Sequence, residues 1–125
     1  MRFRRSSVII GVVDDDESVR LATGSLLRSA NWQAMGYASA DELLNDPKRG
    51  KLSVVVADIE MPGMNGFGLV EAINQWKRPV PVILITAYAT HDLVERARAC
   101  GAAGFFSKPL DDAGLLARIE ELARK

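Results

Sequence analysis

Leu52-Ser53-Val54-Val55-Val56-Ala57-Asp58 is an apolar run that ends on a carboxylate, and Ile59-Glu60-Met61-Pro62-Gly63-Met64-Asn65-Gly66 carries the chain away from it. The run lacks the alternation of a strand with one wet face. It reads as a strand buried on both sides, as in the middle of a parallel sheet. Gly66–Trp76 follows with Leu69, Val70 and Ile73 at helical spacing.

The same alternation extends outward in both directions. Upstream, Val8–Val13 is a second unalternating apolar run, and Glu17–Ala30 places Val19, Ala22, Leu26, Leu27 and Ala30 on one helical face. Gln33–Tyr37 is a weaker strand, and Ser39 with Glu42 forms a capping box that opens a short helix. Downstream, Pro79 and Pro81 precede the β-branched run Val82–Ile85. Thr90 caps a helix that Gly101 stops near Cys100, Ala103–Phe106 is a short strand, and Asp111 caps a last helix with Leu115, Ile119 and Leu122 inward. Five strands and five helices alternate strictly, which predicts an α/β fold with a parallel sheet covered by helices on both faces. Ligands of such sheets bind beyond the carboxyl ends of the strands.

Composition narrows the functional classes. One hundred and twenty-five residues with 48% hydrophobic content suit one domain with a real core. Sixteen basic residues balance sixteen acidic ones, so the chain has no broad electrostatic footprint for nucleic acid. The single cysteine, Cys100, forms no internal disulfide and fits a reducing, cytoplasmic setting. Met1-Arg2-Phe3-Arg4-Arg5 has the charge of a signal-peptide n-region, but the apolar run after it is too short and ends in acids. No stretch is long enough for a membrane span. Residues 1–7 are therefore expected to be a solvated extension, with the domain proper at 8–125.

The strand ends carry the chemistry. Asp14, Asp15, Asp16 and Glu17 follow the first strand, Asp58 ends the third, Thr86 follows the fourth, and Lys108-Pro109 follows the fifth. Clustered carboxylates repel one another, and a hard divalent cation relieves that repulsion. Oxygen ligands without His or Cys suit Mg²⁺. A carboxylate can be a nucleophile toward phosphorus, with a metal and a lysine neutralising the transferred group. The run of three aspartates offers two acid pairs.

Val13-Asp14-Asp15-Asp16-Glu17, Asp58 to Gly66, Thr86-Ala87-Tyr88 and Ser107-Lys108-Pro109 together resemble the motifs of bacterial response-regulator receiver domains. The resemblance runs from about Val8 to Leu122. It implies a doubly wound, CheY-like sheet of order 2-1-3-4-5, with Asp58 as phosphoacceptor and Asp14 and Asp15 as the metal-binding pair. It further implies the backbone carbonyl of Glu60 as third protein ligand to Mg²⁺, Thr86 as switch hydroxyl, Lys108 as phosphate-pairing cation and Phe105 as switch aromatic. The Lys108–Pro109 bond is expected to be cis, and Asp16 to start the first helix. A sensor histidine kinase is the implied donor. The surface of the fourth helix, fifth strand and fifth helix is the implied output face, toward an output domain or a homodimer. Tyr37 to Leu44 is similar to the FixJ-like branch, whose members often carry a DNA-binding output domain, so a transcriptional output is expected. A single-domain regulator acting through protein partners is the alternative. Glu60 and Tyr88 differ from common choices and flank the phosphorylation site.

Taken singly, each residue has an ordinary explanation. Asp58 could be a turn residue, Asp14 to Glu17 a helix cap, Thr86 a strand threonine and Lys108 a surface lysine. The functional reading rests on their joint placement. An aspartyl-phosphate phosphatase of the dehalogenase type would want Asp where Glu60 stands, and a cap domain. A flavin- or nucleotide-binding domain would want a Gly-rich loop where Asp14 to Glu17 stand. Phe105 is expected to be half core, His91 to face solvent, and Cys100 to be a small core residue of the fourth helix.

Overall fold

Every residue of Val54–Asp58 (β3) and of Val82–Thr86 (β4) is buried in the computed structural model, which describes residues 7–124. Ile9–Val13 (β1) is buried apart from its first residue. These are the three inner strands. Gln33–Tyr37 (β2) and Gly104–Ser107 (β5) are partly exposed, as edge strands must be. All pairings are parallel, and the order is β2-β1-β3-β4-β5. The expected doubly wound sheet is thus present. The expected 1–7 extension lies, but for Ser7, outside the described residues.

Four helices fill the crossovers, Glu17–Ser29 (α1), Ala40–Leu44 (α2), Gly66–Asn74 (α3) and His91–Ala99 (α4), and Asp112–Ala123 (α5) follows the last strand. Each begins at a side chain that satisfies an orphan backbone donor. Asp16 accepts from Val19 N–H, Ser39 from Glu42, Asn65 from Gly68, Thr90 from Leu93 and Asp111 from Gly114. The Glu42 carboxylate reaches back to the Ala38 N–H, one residue before the cap, so the capping box is slightly wider than expected. Gly101, with φ of +86°, ends the α4 segment in the left-handed region that an L side chain resists.

Successive strand residues point to opposite faces, and two cores result. Val13, Val55, Ala57, Val82 and Leu84 meet α2, α3 and α4 through Leu43, Leu69, Ile73 and Ala97. Ile10, Val12, Val54, Val56, Ile83 and Ile85 meet α1 and α5 through Leu27, Leu115 and Ile119. Full burial of one such side chain contributes about 1.5–3 kcal/mol against exposure, so the central strands anchor the molecule. No helix among the described residues is long and apolar enough to cross a membrane.

Some local expectations shift. Ala22 faces solvent, while Thr23 and Gly24 are buried beside Leu27, because the inner stripe of α1 turns toward β2. Leu52 is buried but precedes β3, after a single 3-10 turn at Arg49–Lys51. α3 stops at Asn74, so Trp76 packs from the loop beyond it. Cys100 follows α4 as its C-cap and is half-buried.

The order places β2 on one side of β1 and β3 on the other. Chain direction across the sheet reverses there, which opens a crevice beyond the carboxyl ends of β1 and β3.

Candidate functional site

Asp58 is the last residue of β3 and is only 7% exposed. Its Oδ2 accepts from Lys108 Nζ at 3.0 Å, and its Oδ1 accepts from the Glu60 N–H at 3.0 Å. A buried carboxylate without partners would be costly, and these two donors compensate it. Asp14 lies one residue past β1 and is 5% exposed. Its Oδ1 accepts from the Asp16 N–H at 2.9 Å, and its Oδ2 lies 3.6 Å from Lys108 Nζ. Register explains the meeting: Val13 stands opposite Ala57, so the next residue of each strand is level with the other.

Carboxylate oxygens of Asp14, Asp15 and Asp58 all lie within 4.8 Å of one another. Asp15 is exposed, at the open rim. Asp16 points elsewhere and caps α1, so of the two pairs in the aspartate run, Asp14 with Asp15 is the one beside Asp58. The donor set is all oxygen and anionic, which fits a hard divalent cation such as Mg²⁺.

Burial pushes the Asp14 pKa up, as does the nearness of Asp58 and Asp15; the Asp16 N–H and Lys108 oppose this without cancelling it. For Lys108, burial pushes the pKa down, but Asp58 and Asp14 pull it up further, and the net direction is up. The ammonium is thus held charged between two carboxylates. The Lys108–Pro109 bond is cis, and the Lys108 N–H donates to the Thr86 carbonyl at 2.8 Å, tying β5 to β4 at the site.

Thr86 ends β4 and is fully buried. Its hydroxyl donates to the Glu60 carboxylate, with 2.8 Å to each oxygen, and accepts from the Tyr88 N–H at 3.0 Å. Tyr88 itself is 69% exposed. Phe105 is half-buried and packs against the core on the α4 side, where a groove of about 180 Å³ lies between α4 and β5. His91 is exposed at the start of α4. Burial raises the Cys100 thiol pKa, and the thiol donates to the Ala97 carbonyl at 3.3 Å, so Cys100 is a packing residue remote from this chemistry.

Two contacts escape inspection of the sequence. Arg20 on α1 donates to the Asp14 carbonyl at 2.8 Å and steadies the acidic loop. Its stem lies over Gly36, where an added Cβ would come within 3.3 Å of it. Glu60 and Thr86 are 26 residues apart, and only the side-by-side placement of β3 and β4 brings them together.

The fold and this constellation define a phosphoacceptor module of two-component signalling. The family model described as response regulator receiver domain matches residues 10–120, and the chain belongs to that family. Its members are regulatory modules of the phosphorelay rather than conventional enzymes, and a receiver implies a cognate histidine kinase. Among its relatives, the chain is 32% identical over 115 residues to the response regulator protein TodT of Pseudomonas putida, covering 92% of this chain and 50% of TodT. It is 32% identical over 113 residues to the transcriptional regulatory protein FixJ of Azorhizobium caulinodans, covering 90% of this chain and 54% of FixJ. The structure of the Vibrio cholerae chemotaxis protein CheY4 superposes with a TM-score of 0.80 at 26% identity, covering 92% of this chain and 98% of that one. The chain spans about half the length of the curated relatives it matches.

Proposed function

We propose that Asp58 is the residue phosphorylated in this receiver, by a sensor histidine kinase, and that the phosphorylated domain acts on a transcriptional output. The observation that carries the reading is the seat of Asp58. It stands at the switch point of the sheet, 3.0 Å from the Lys108 ammonium and beside the Asp14 and Asp15 carboxylates.

The chain's residues divide the work. An Asp58 oxygen forms a bond to phosphorus as the P–N bond to the donor imidazole breaks, and the bonding pair stays on the imidazole nitrogen. Lys108, already charged and seated on Asp58, shifts onto the oxygens of the arriving group. Asp14, Asp15, Asp58 and the Glu60 backbone carbonyl would hold Mg²⁺. When bound, the ion neutralises charge on the phosphoryl oxygens and on the crowded acids. No general base is needed, because a carboxylate is already the nucleophilic form.

Thr86 then turns its hydroxyl to the phosphoryl oxygens, and Phe105 follows inward beside the α4–β5 groove, changing the α4-β5-α5 face offered to an output domain or a second copy. The domain occupies 8–125, works in the cytoplasm, and needs no nucleic-acid contact of its own. The transcriptional output is supported by FixJ, whose length is about twice that matched here.

The test is acetyl phosphate with Mg²⁺, read by intact mass. The wild type should gain one phosphoryl group, and Asp58→Asn should gain none. Equal labelling of the variant would sink the assignment.

A further inference from the structure

Thr86 has one hydroxyl proton, and Glu60 holds it. Both Glu60 oxygens sit 2.8 Å from Thr86 Oγ1, and the Tyr88 N–H occupies a lone pair of the same oxygen at 3.0 Å. Thr86 is fully buried, so water does not compete for the proton, while Glu60 is exposed and free to swing outward. A hydroxyl offers a single donor. Under the reading of Asp58 given above, on which this inference rests, a phosphoryl oxygen must claim that same donor. Two acceptors therefore contend for one proton.

Charge sharpens the contest. A phosphoryl group adds about −1.5 to −2 charge, and Glu60 is two residues from its point of attachment. Its carboxylate cannot keep its place beside that group without like-charge repulsion. The two arrangements of Thr86 are thus mutually exclusive: donor to Glu60, or donor to the phosphoryl group.

We propose that the Glu60 side chain is a latch on Thr86, holding the hydroxyl away from Asp58 until a phosphoryl group displaces it. The Glu60 side chain is a positioning group: the residue's backbone N–H meets Asp58, but its carboxylate is bonded to Thr86 and acts through that hydroxyl on the balance between the two states. A carboxylate that acted only by repelling anions would have a similar effect on binding but would not need Thr86, and a double-mutant cycle separates the two.

The experiment measures beryllofluoride affinity in the presence of Mg²⁺, with the Tyr88 amide resonance as a local reporter. The proteins are the wild type, Glu60→Ala, Glu60→Gln, Thr86→Ala and the double variant Glu60→Ala/Thr86→Ala. Breaking one charge-assisted hydrogen bond at a half-open site should tighten binding by about three- to tenfold in Glu60→Ala. Glu60→Gln, which still accepts but is uncharged, should fall between. In the Thr86→Ala background most of the gain should vanish. The Tyr88 resonance of unligated Glu60→Ala should move toward its beryllofluoride-bound position. An equal gain in both backgrounds overturns the latch and leaves plain repulsion, and no gain at all also overturns it. A wild type that fails to bind beryllofluoride, or an Asp58→Asn variant that binds as tightly, overturns the Asp58 reading and the latch with it.

Discussion

Asp14 shows how one residue records the cost of the site. Its carboxylate is buried among other acids, and burial is the main reason its pKa is raised. A raised acid pKa means that the folded state disfavours the charged form. The penalty is present at neutral pH and declines as pH falls through the raised value, where the folded state takes up a proton before the unfolded chain does. Asp14→Asn should therefore raise Tm at pH 7 without Mg²⁺, with a smaller advantage at mildly acidic pH. It should also remove most of the Tm increase that Mg²⁺ gives the wild type. A lower Tm for the variant in metal-free buffer would contradict this account. The presence of acids here was legible in the sequence, because three aspartates directly after an apolar strand have no packing role. The division among them was legible only in part. Asp16 is set apart by its N-cap bond to Val19, and Asp15 from Asp14 by exposure. The Glu60–Thr86 bond was not legible, since spacing along a chain does not show which side chains turn toward each other across two strands.

Among the elements, the loop from β3 to α3 holds the site together. Gly66 opens α3, and its N–H donates to the Ile59 carbonyl at 3.0 Å. A Cβ there would lie 2.9 Å from the Asp58 carbonyl oxygen, the Ile59 Cα and a Leu84 methyl. Two of those atoms are backbone, so the helix start must shift. Gly66→Ala should cost about 1–3 kcal/mol by urea unfolding, and it should weaken Mg²⁺ binding because Asp58 moves with its carbonyl. A change below about 0.5 kcal/mol, the range of ordinary surface substitutions, would show that the loop has slack. Strand positions were legible because β1, β3 and β4 are apolar without alternation up to the Asp58 and Thr86 that end β3 and β4, a pattern imposed by helices on both faces. The inner stripe of α1 was less so. Thr23 and Gly24 are buried because β2 approaches closely, with Ala34 3.8 Å from a Cβ built at Gly24, and a small or polar residue gives no hydrophobic signal of that burial.

At the scale of the whole molecule, the sheet order turns four separate strand ends into one site. β1 and β3 are neighbours because the chain first winds to β2 and then returns past β1. Asp14 and Asp58 meet for that reason, and Lys108 reaches them from β5 across β4. Strict alternation of strands and helices made the parallel sheet legible, since parallel crossovers share one hand and leave few topologies, while the strand order itself was implied by the resemblance to receiver domains. The partner proposed for the α4-β5-α5 face was not legible, because surface side chains leave no pattern in the core. The central claim is that the phosphoryl group resides on Asp58, and borohydride trapping tests it most directly. Borohydride reduces an acyl phosphate to the alcohol, which converts a phosphorylated aspartate to homoserine. After treatment with acetyl phosphate and Mg²⁺, peptide mapping of the reduced chain should find homoserine at position 58 alone. Homoserine at position 14, 15 or 16 in place of 58, or a phosphorylated chain in which position 58 stays aspartate after reduction, would contradict the account.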